Sequence, residues 1–143
     1  MYPGLGSPGV LFHGVTLKPG KPTIGAVVNG VPVFGLPGHP AAVAVCFEVF
    51  IVPVLRVLTG REEKEWRGRK TIRARLARNV SSTVGREEHV RVTIEERDGE
   101  VWAIPVLGKS GLIRTLVRAD GTIVIPAEER GMEEDDTVNV VLF

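Results

Sequence analysis

Two rigid turns near the start of the chain carry the residues best suited to chemistry. Residues 18–22 place Lys18 and Lys21 around a Pro-Gly pair, and residues 37–40 read Pro-Gly-His-Pro. Proline fixes φ and removes a backbone donor, whereas glycine opens backbone conformations that are closed to other residues. Lysine offers a mobile positive charge to phosphate and other oxyanions. Two such turns, one with paired cations, predict a pre-formed anion site; a solvated turn is the alternative.

A hairpin and a long helix must position the second turn. Apolar runs at residues 24–28 and 31–36 flank Asn29-Gly30, which is typical of a type I′ turn because both central residues need positive φ. The run at residues 41–58 is apolar except for two charges, which predicts a helix buried on most sides and ended near Gly60. Its length touches the lower limit for a membrane span, an interpretation that the charges and a proline disfavour.

The start of this helix is a second place for an anion. Ligands of α/β folds collect where a strand ends and a helix begins, because free N–H groups and the helix dipole favour negative charge there. Pro40 suits the first helical turn, where a missing N–H costs nothing. His39 is expected either to donate to an oxyanion or to cap the helix. The candidate oxyanion-binding residues are Pro37, Gly38, His39 and Pro40. The alternative is that this turn only ends the strand and begins the helix.

The pattern changes from helical to alternating after Gly60. Residues 61–65 form a charge run that is interpreted as a solvated linker or first turn, and apolar residues then alternate with polar ones in short runs. Asp98-Gly99 is another hairpin turn, and a short helix is expected at residues 112–118. Short strands at this spacing predict a small closed or nearly closed β-domain. The predicted fold class therefore has two parts. Residues 1–60 form an α/β part made of strands and one apolar helix, and residues 61–143 form a small all-β domain.

Composition limits the classes of function. The chain has 143 residues, of which 43% are hydrophobic and 24% charged, as in a folded globular protein, and a net charge of +1 provides no global field for nucleic acid. Its single cysteine, Cys46, cannot form an internal disulfide, and the first residues show no secretion signal, so a cytoplasmic location is expected. His13 and His89 have no visible triad partner, and no metal-ligand spacing occurs, so neither a catalytic nucleophile nor a metal ligand is nominated.

Several motifs together resemble one enzyme family. Residues 12–22 and 35–40, followed by the apolar helix, closely resemble the molybdopterin molybdenumtransferases, the MoeA-type enzymes whose eukaryotic counterpart is the gephyrin E domain. Residues 61–143 resemble the C-terminal β-barrel of that family. Within them, residues 85–91 are similar to its Gly-Arg-x-x-aromatic-x-Arg segment, and residues 110–121 to its Gly-Ser-Gly loop, short helix and turn. The resemblance covers nearly the whole chain from about residue 12.

The resemblance implies a function in molybdenum cofactor biosynthesis. Enzymes of this family insert molybdate into adenylylated molybdopterin and hydrolyse the adenylate with a divalent metal, which implies Mg²⁺ as cofactor. Tungstate shares the size and charge of molybdate, so the sequence does not choose between them. The lysines and the Pro-Gly-His-Pro turn would position oxyanions. Three residues would reach over the pterin site from the barrel of this chain or of a partner subunit, or else form an ordinary barrel surface: Arg86, Arg91 and Ser110.

The chain departs from the family pattern in two ways. It has His39 where the family usually has Asn, and it lacks the earlier α/β half with its Gly-Gly-x-Ser-x-Gly loop and acidic residues. We therefore expect a C-terminal fragment, inactive alone, that carries an α/β remnant and keeps the oxyanion-positioning half of the site. The apolar helix would be covered by the β-domain, by another copy of the chain, or by the remainder of the enzyme. A non-catalytic, gephyrin-like assembly module is the alternative function.

Overall fold

The computed structural model describes residues 6–61, 69–106 and 116–143. The strands of the first part are β1 (Pro8–His13), β2 (Leu17–Lys18), β3 (Ile24–Val28) and β4 (Val31–Gly35). One continuous helical segment follows, made of α1 (Pro40–Cys46), a π-helical turn (Phe47–Ile51) and α2 (Val52–Leu58). The strands of the second part are β5 (Thr71–Leu76), β6 (Val80–Ser81), β7 (Glu87–Arg97), β8 (Glu100–Pro105), β9 (Gly121–Ile125), β10 (Gly131–Met132) and β11 (Thr137–Leu142).

The first part is an antiparallel three-stranded sheet packed against the helical segment. Strand β3 lies between β1 and β4, and the β3–β4 hairpin turns at Asn29 and Gly30 with φ values of 51° and 82°. The predicted hairpin is therefore confirmed. The Phe12 ring lies over Gly25, in the space that a β-carbon there would fill, and its centroid is 5.7 Å from that of Phe50. This contact seats the helix on one face of the sheet.

The predicted helix over residues 41–58 is confirmed, with a π-helical turn at its centre. The N–H of Val52 donates to the carbonyl of Phe47, five residues back. Pro53 explains this turn, because proline has no N–H and its ring clashes with the carbonyl four residues earlier in an α-helix. The segment is long and apolar enough to cross a membrane by length and composition alone. It is not buried on most sides: Leu58 and Val57 are about two-thirds exposed.

The second part is a closed five-stranded barrel, as the alternating pattern predicted. Neighbouring strands follow the order β7, β8, β5, β11 and β9, and β9 pairs again with β7. Strands β6 and β10 form a separate two-stranded ribbon. Of the helix predicted over residues 112–118, residues 116–118 are described and are helical. The barrel interior is filled by Ala74, Leu76, Val80, Val90, Val92, Ala103, Ile123, Ile125, Val138 and Val140.

Contacts among the described residues join the two parts. Strand β2 pairs in parallel with the start of β7, so it extends the barrel sheet. Within the first part, Leu17 of β2 packs with Val45 and Cys46 of the helix in a small second core. Glu48 of the helical segment accepts a hydrogen bond of 2.9 Å from Arg69 Nη1. The predicted domain boundary near residues 60–66 falls mainly outside the described residues and stays a prediction.

Candidate functional site

The lysine turn is held in place by buried contacts to the helix. Gly20 has φ of +138°, a conformation that L residues rarely adopt. The Thr23 hydroxyl donates to the Gly20 carbonyl at 2.6 Å, and the Thr23 N–H reaches the same oxygen at 3.1 Å. Thr23 Oγ1 also lies 3.1 Å from Cys46 Sγ, and both side chains are fully buried. Cys46 is thus a core thiol that anchors the turn.

Lys18 does not stand free in this turn but is paired with the barrel. Its Nζ lies 3.0 Å from Oε1 of Glu88 and donates to Oε2 at 3.1 Å. Ser82 Oγ donates to the same Oε2 at 2.7 Å. The Lys18 side chain is 41% exposed and that of Glu88 is 15% exposed. The first predicted oxyanion ligand therefore already has a carboxylate partner.

Lys21 instead lines an open groove between the two parts of the chain. The groove has a volume of about 680 Å³. His13, the last residue of β1, lies on its rim with Lys21, and both residues are exposed. Glu87 of the barrel contributes a carboxylate, and its Oε1 lies 2.8 Å from Nε2 of His89. The rim thus combines a lysine, a histidine and a glutamate.

Apolar side chains line the rest of the groove. Val15 precedes the lysine turn, and its N–H donates to the carbonyl of Lys21 at 2.9 Å. Val49 and Phe50 come from the π-helical turn and pack against the small core around Leu17. A groove of this size with an apolar floor and a few polar groups is typical of small-molecule sites. It can hold a flat apolar body with an anionic end near Lys21.

The Pro-Gly-His-Pro turn forms the start of the helix, as predicted. Pro40 occupies the first helical turn, and His39 is the N-cap, with its carbonyl accepting the Val43 N–H at 2.9 Å. The His39 side chain makes no capping hydrogen bond to the described residues, so only its backbone caps the helix. Gly38 is exposed, and no described atom lies within 4 Å of where its β-carbon would be.

The two turns share a core but do not line the same groove. Leu36, which precedes the second turn, packs against the same cluster as Leu17, which precedes the first. Residues 37–40 are not among the described residues that line the groove around Lys21. Their role as oxyanion ligands therefore stays a prediction.

The barrel candidates have separate surroundings. Arg86 is partly buried just before β7, and Ser110 lies outside the described residues. Arg91 is half-buried, with Cζ 4.4 Å from the Phe143 ring centroid and Nε lacking a hydrogen-bond partner among the described residues. Burial lowers the pKa of Arg91, and the charge of Glu48 partly opposes that shift. The described contact of Arg91 is thus with Phe143, and Arg91 is not among the groove-lining residues described.

Sequence reasoning did not single out four residues that build the site. Thr23 and Ser82 are common residue types, and their hydroxyls become informative only in the fold. Glu87 and Glu88 lie inside the motif at residues 85–91, which was the available signal. For a metal, the described residues contain no group of three or more His, Cys, Asp and Glu side chains able to hold an ion.

Comparisons with known proteins agree in both parts of the chain. Residues 4–57 match the family model described as "Probable molybdopterin binding domain", and residues 73–143 match "MoeA C-terminal region (domain IV)". A Methanocaldococcus jannaschii protein named for molybdopterin biosynthesis is 39% identical over 134 residues, covering 94% of this chain and 30% of that protein. The molybdopterin molybdenumtransferase of Bacillus subtilis is 32% identical over 144 residues, covering 100% of this chain and 33% of that enzyme.

Solved structures give the same result. A molybdopterin biosynthesis MoeA protein from Pyrococcus horikoshii superimposes with a TM-score of 0.77 at 37% identity, covering 96% of this chain and 32% of that chain. A molybdenum cofactor biosynthesis protein from Pyrococcus furiosus gives a TM-score of 0.76 at 34% identity, with coverages of 94% and 45%. The chain thus spans about a third of the length of the named relatives it matches.

Proposed function

Because the chain belongs to the MoeA-type family of molybdopterin molybdenumtransferases, we propose that it supplies an oxyanion-binding face for the insertion of molybdate into adenylylated molybdopterin. The groove lined by Lys21 and His13 is the observation that carries this proposal. It joins a rim that carries Lys21, His13 and Glu87 to an apolar floor, which suits a flat pterin whose phosphate or tetrahedral oxyanion lies at the lysine. Tungstate would bind in the same way as molybdate.

The chemistry we assign to these residues is orientation by charge. An exposed lysine ammonium holds an anionic oxygen by a charge-assisted hydrogen bond, and a histidine N–H adds a second donor. Fixing the anion against the floor brings the reacting groups together without a covalent intermediate. The predicted ligands Arg86 and His39 belong to the proposal as contacts from outside the groove, and Ser110, which lies outside the described residues, belongs to it as a predicted ligand.

The proposal includes Mg²⁺, with ligands that lie outside the described residues. When bound, a divalent cation would neutralise phosphate charge on the adenylate. Since the described residues present no acidic cluster for it, we assign its ligands to the remainder of the full-length enzyme or to a partner subunit, and no step to the described residues. A cytoplasmic location and a homo-oligomer are part of the same proposal.

Oxyanion binding by the isolated chain tests the proposal directly. We expect tungstate to bind in calorimetric titrations and Lys21→Ala to weaken binding by about 10- to 100-fold, since a charged hydrogen bond contributes about 1.5–3 kcal/mol. Lys70→Ala is the matched control, because Lys70 is also an exposed lysine but lies beside β5 on the barrel. Equal losses in both variants would contradict a site at Lys21.

An assay of enzymatic turnover tests the catalytic part of the proposal. We expect molybdate-dependent hydrolysis of adenylylated molybdopterin by a longer chain that carries the preceding α/β half, and none by this chain alone. Activity of this chain alone would contradict the expected division of the site, and inactivity of both would contradict the enzymatic proposal.

A non-catalytic assembly module is the second candidate. The apolar surface of the helical segment favours it, because Phe47, Leu55, Val57 and Leu58 are 44–65% exposed and such surface seldom stays in water. Sedimentation of the chain as an oligomer, together with wild-type tungstate binding in Lys21→Ala, would favour this candidate over the first.

A further inference from the structure

The pairing of Lys18 with Glu88 has a fixed geometry. In β2 and β7, Leu17 is level with Glu87 and Lys18 with Glu88, and the Glu87 N–H donates to the Thr16 carbonyl at 2.9 Å. The short strand therefore holds Lys18 beside the barrel. Alternation along β7 puts Glu88 on the same side as the buried Val90, so its carboxylate lies at the end of the barrel interior.

The Glu88 carboxylate is held from two sides. Lys18 Nζ lies 3.0–3.1 Å from its two oxygens, and Ser82 Oγ donates to Oε2 at 2.7 Å. With 15% exposure, Glu88 is mostly withdrawn from solvent, and its carboxylate lies close to the lysine turn. The Lys18 ammonium has three N–H donors, and the Glu88 carboxylate occupies the side of it that faces the barrel.

We propose that Glu88 is a specificity-determining residue that competes with the anionic ligand for Lys18. This inference rests on the proposed function, in which Lys21 binds an oxyanion, and adds Lys18 of the same turn as a second contact for that ligand. An incoming anion must either share Lys18 with the carboxylate or displace it, and it is repelled by the carboxylate in both cases. Repulsion grows with ligand charge, so Glu88 weakens the binding of a dianion more than that of a monoanion of the same shape.

Two tetrahedral probes of different charge test this inference. Tungstate carries two negative charges and perrhenate one, and both can be titrated into the full chain by calorimetry. We expect Glu88→Gln to raise tungstate affinity about 1.4- to fivefold, the range for removing a partly exposed ion pair, and to raise perrhenate affinity less. Adding Lys18→Met to Glu88→Gln should abolish the gain.

The control is Glu96→Gln, which removes the same charge from an exposed position on the same strand. Glu96 lies eight residues beyond Glu88 in β7, roughly 26 Å away at about 3.3 Å per residue, so it should change neither affinity. If circular dichroism shows that Glu88→Gln is not folded, Glu88→Asp is used in its place. Its shorter side chain moves the carboxylate away from Lys18, so it should raise tungstate affinity by a smaller factor.

The outcomes separate the inference from the proposed function. Unchanged or weaker tungstate binding in Glu88→Gln, with Lys21→Ala still lowering affinity, overturns the inference and leaves the function standing. Equal gains for tungstate and perrhenate also overturn it, because a change in shape rather than charge would explain them. Absence of oxyanion binding in every variant overturns both.

Discussion

Replacing Gly20 by alanine tests whether the lysine turn is locked against the helix. The residue has φ of +138°, and a β-carbon there would lie 2.7 Å from Cys46 Sγ and 3.1 Å from Leu17 Cδ2. The backbone strain is worth about 1–3 kcal/mol and the overpacking about 1–3 kcal/mol. Alanine recovers about 0.4–1 kcal/mol by restricting the unfolded chain. We expect Gly20→Ala to lower the free energy of unfolding by about 1–5.5 kcal/mol.

Two other glycines separate these causes. Gly30 has φ of +82° and Gly38 is not at positive φ, and neither has a described atom within 4 Å of its β-carbon position. Gly30→Ala should therefore show the backbone strain without the overpacking, a net loss of about 0–2.5 kcal/mol after the gain from the unfolded chain, and Gly38→Ala should raise stability by about 0.4–1 kcal/mol. Urea denaturation followed by circular dichroism measures all three, with amide exchange in the first 60 residues locating the loss.

The contact with Cys46 can be isolated by a double-mutant cycle. Cys46→Ala removes the sulfur that the new methyl group meets, so Gly20→Ala should cost about 1–2 kcal/mol less in that background. A cost for Gly20→Ala no larger than that for Gly30→Ala would refute the packing argument. An unchanged cost in the Cys46→Ala background would refute it independently.

Three further perturbations address the rest of the molecule. Leu76→Ala should destabilise the barrel by about 2–5 kcal/mol in urea denaturation, because Leu76 is fully buried; a loss below about 1 kcal/mol would contradict its place in the core. A cycle of Arg69→Ala and Glu48→Ala should give a coupling of about 0.5–1 kcal/mol for this partly exposed pair, and zero coupling would show that it does not join the two parts. Val57→Lys should reduce association in sedimentation without lowering the thermal midpoint; unchanged association would exclude this face as the interface.

Local signals predicted much of the fold. Asn29-Gly30 and Asp98-Gly99 lie at positive φ in the two hairpins, because these residues adopt the left-handed region at low cost. Alternation in β7 and β11 predicted their buried faces, since period two is a property of the strand itself. The π-helical turn was not predicted, because Pro53 shows where a helix is disturbed but not which rearrangement relieves it.

The site was harder to predict because its contacts are non-local. Strand β2 has two residues, too few for a periodic signal, and its partner Glu88 is 70 positions from Lys18. Contacts that are distant in sequence likewise decide the surroundings of Arg75 in the second part. In the structure, Arg75 is bound to Glu100 and Asp135 at 2.9 Å each and lies 4.9 Å from the centre of the Trp102 ring. An acidic neighbour in space, rather than in sequence, decides whether a cation is available.

The two lysines of the first turn show this most directly. They share residue type and motif, and the sequence assigned them the same role. Leu17 occupies the small core, so the next residue in β2 must point away from it, and that direction leads Lys18 to Glu88. Lys21 lies beyond the Gly20 turn, where the chain has left the strand, and it reaches the groove. Because side chains alternate along β2, Lys18 is held by the barrel, whereas Lys21 is open to a ligand. An anion that contacts both must bridge the groove and the barrel end, which makes Glu88 part of the binding equilibrium.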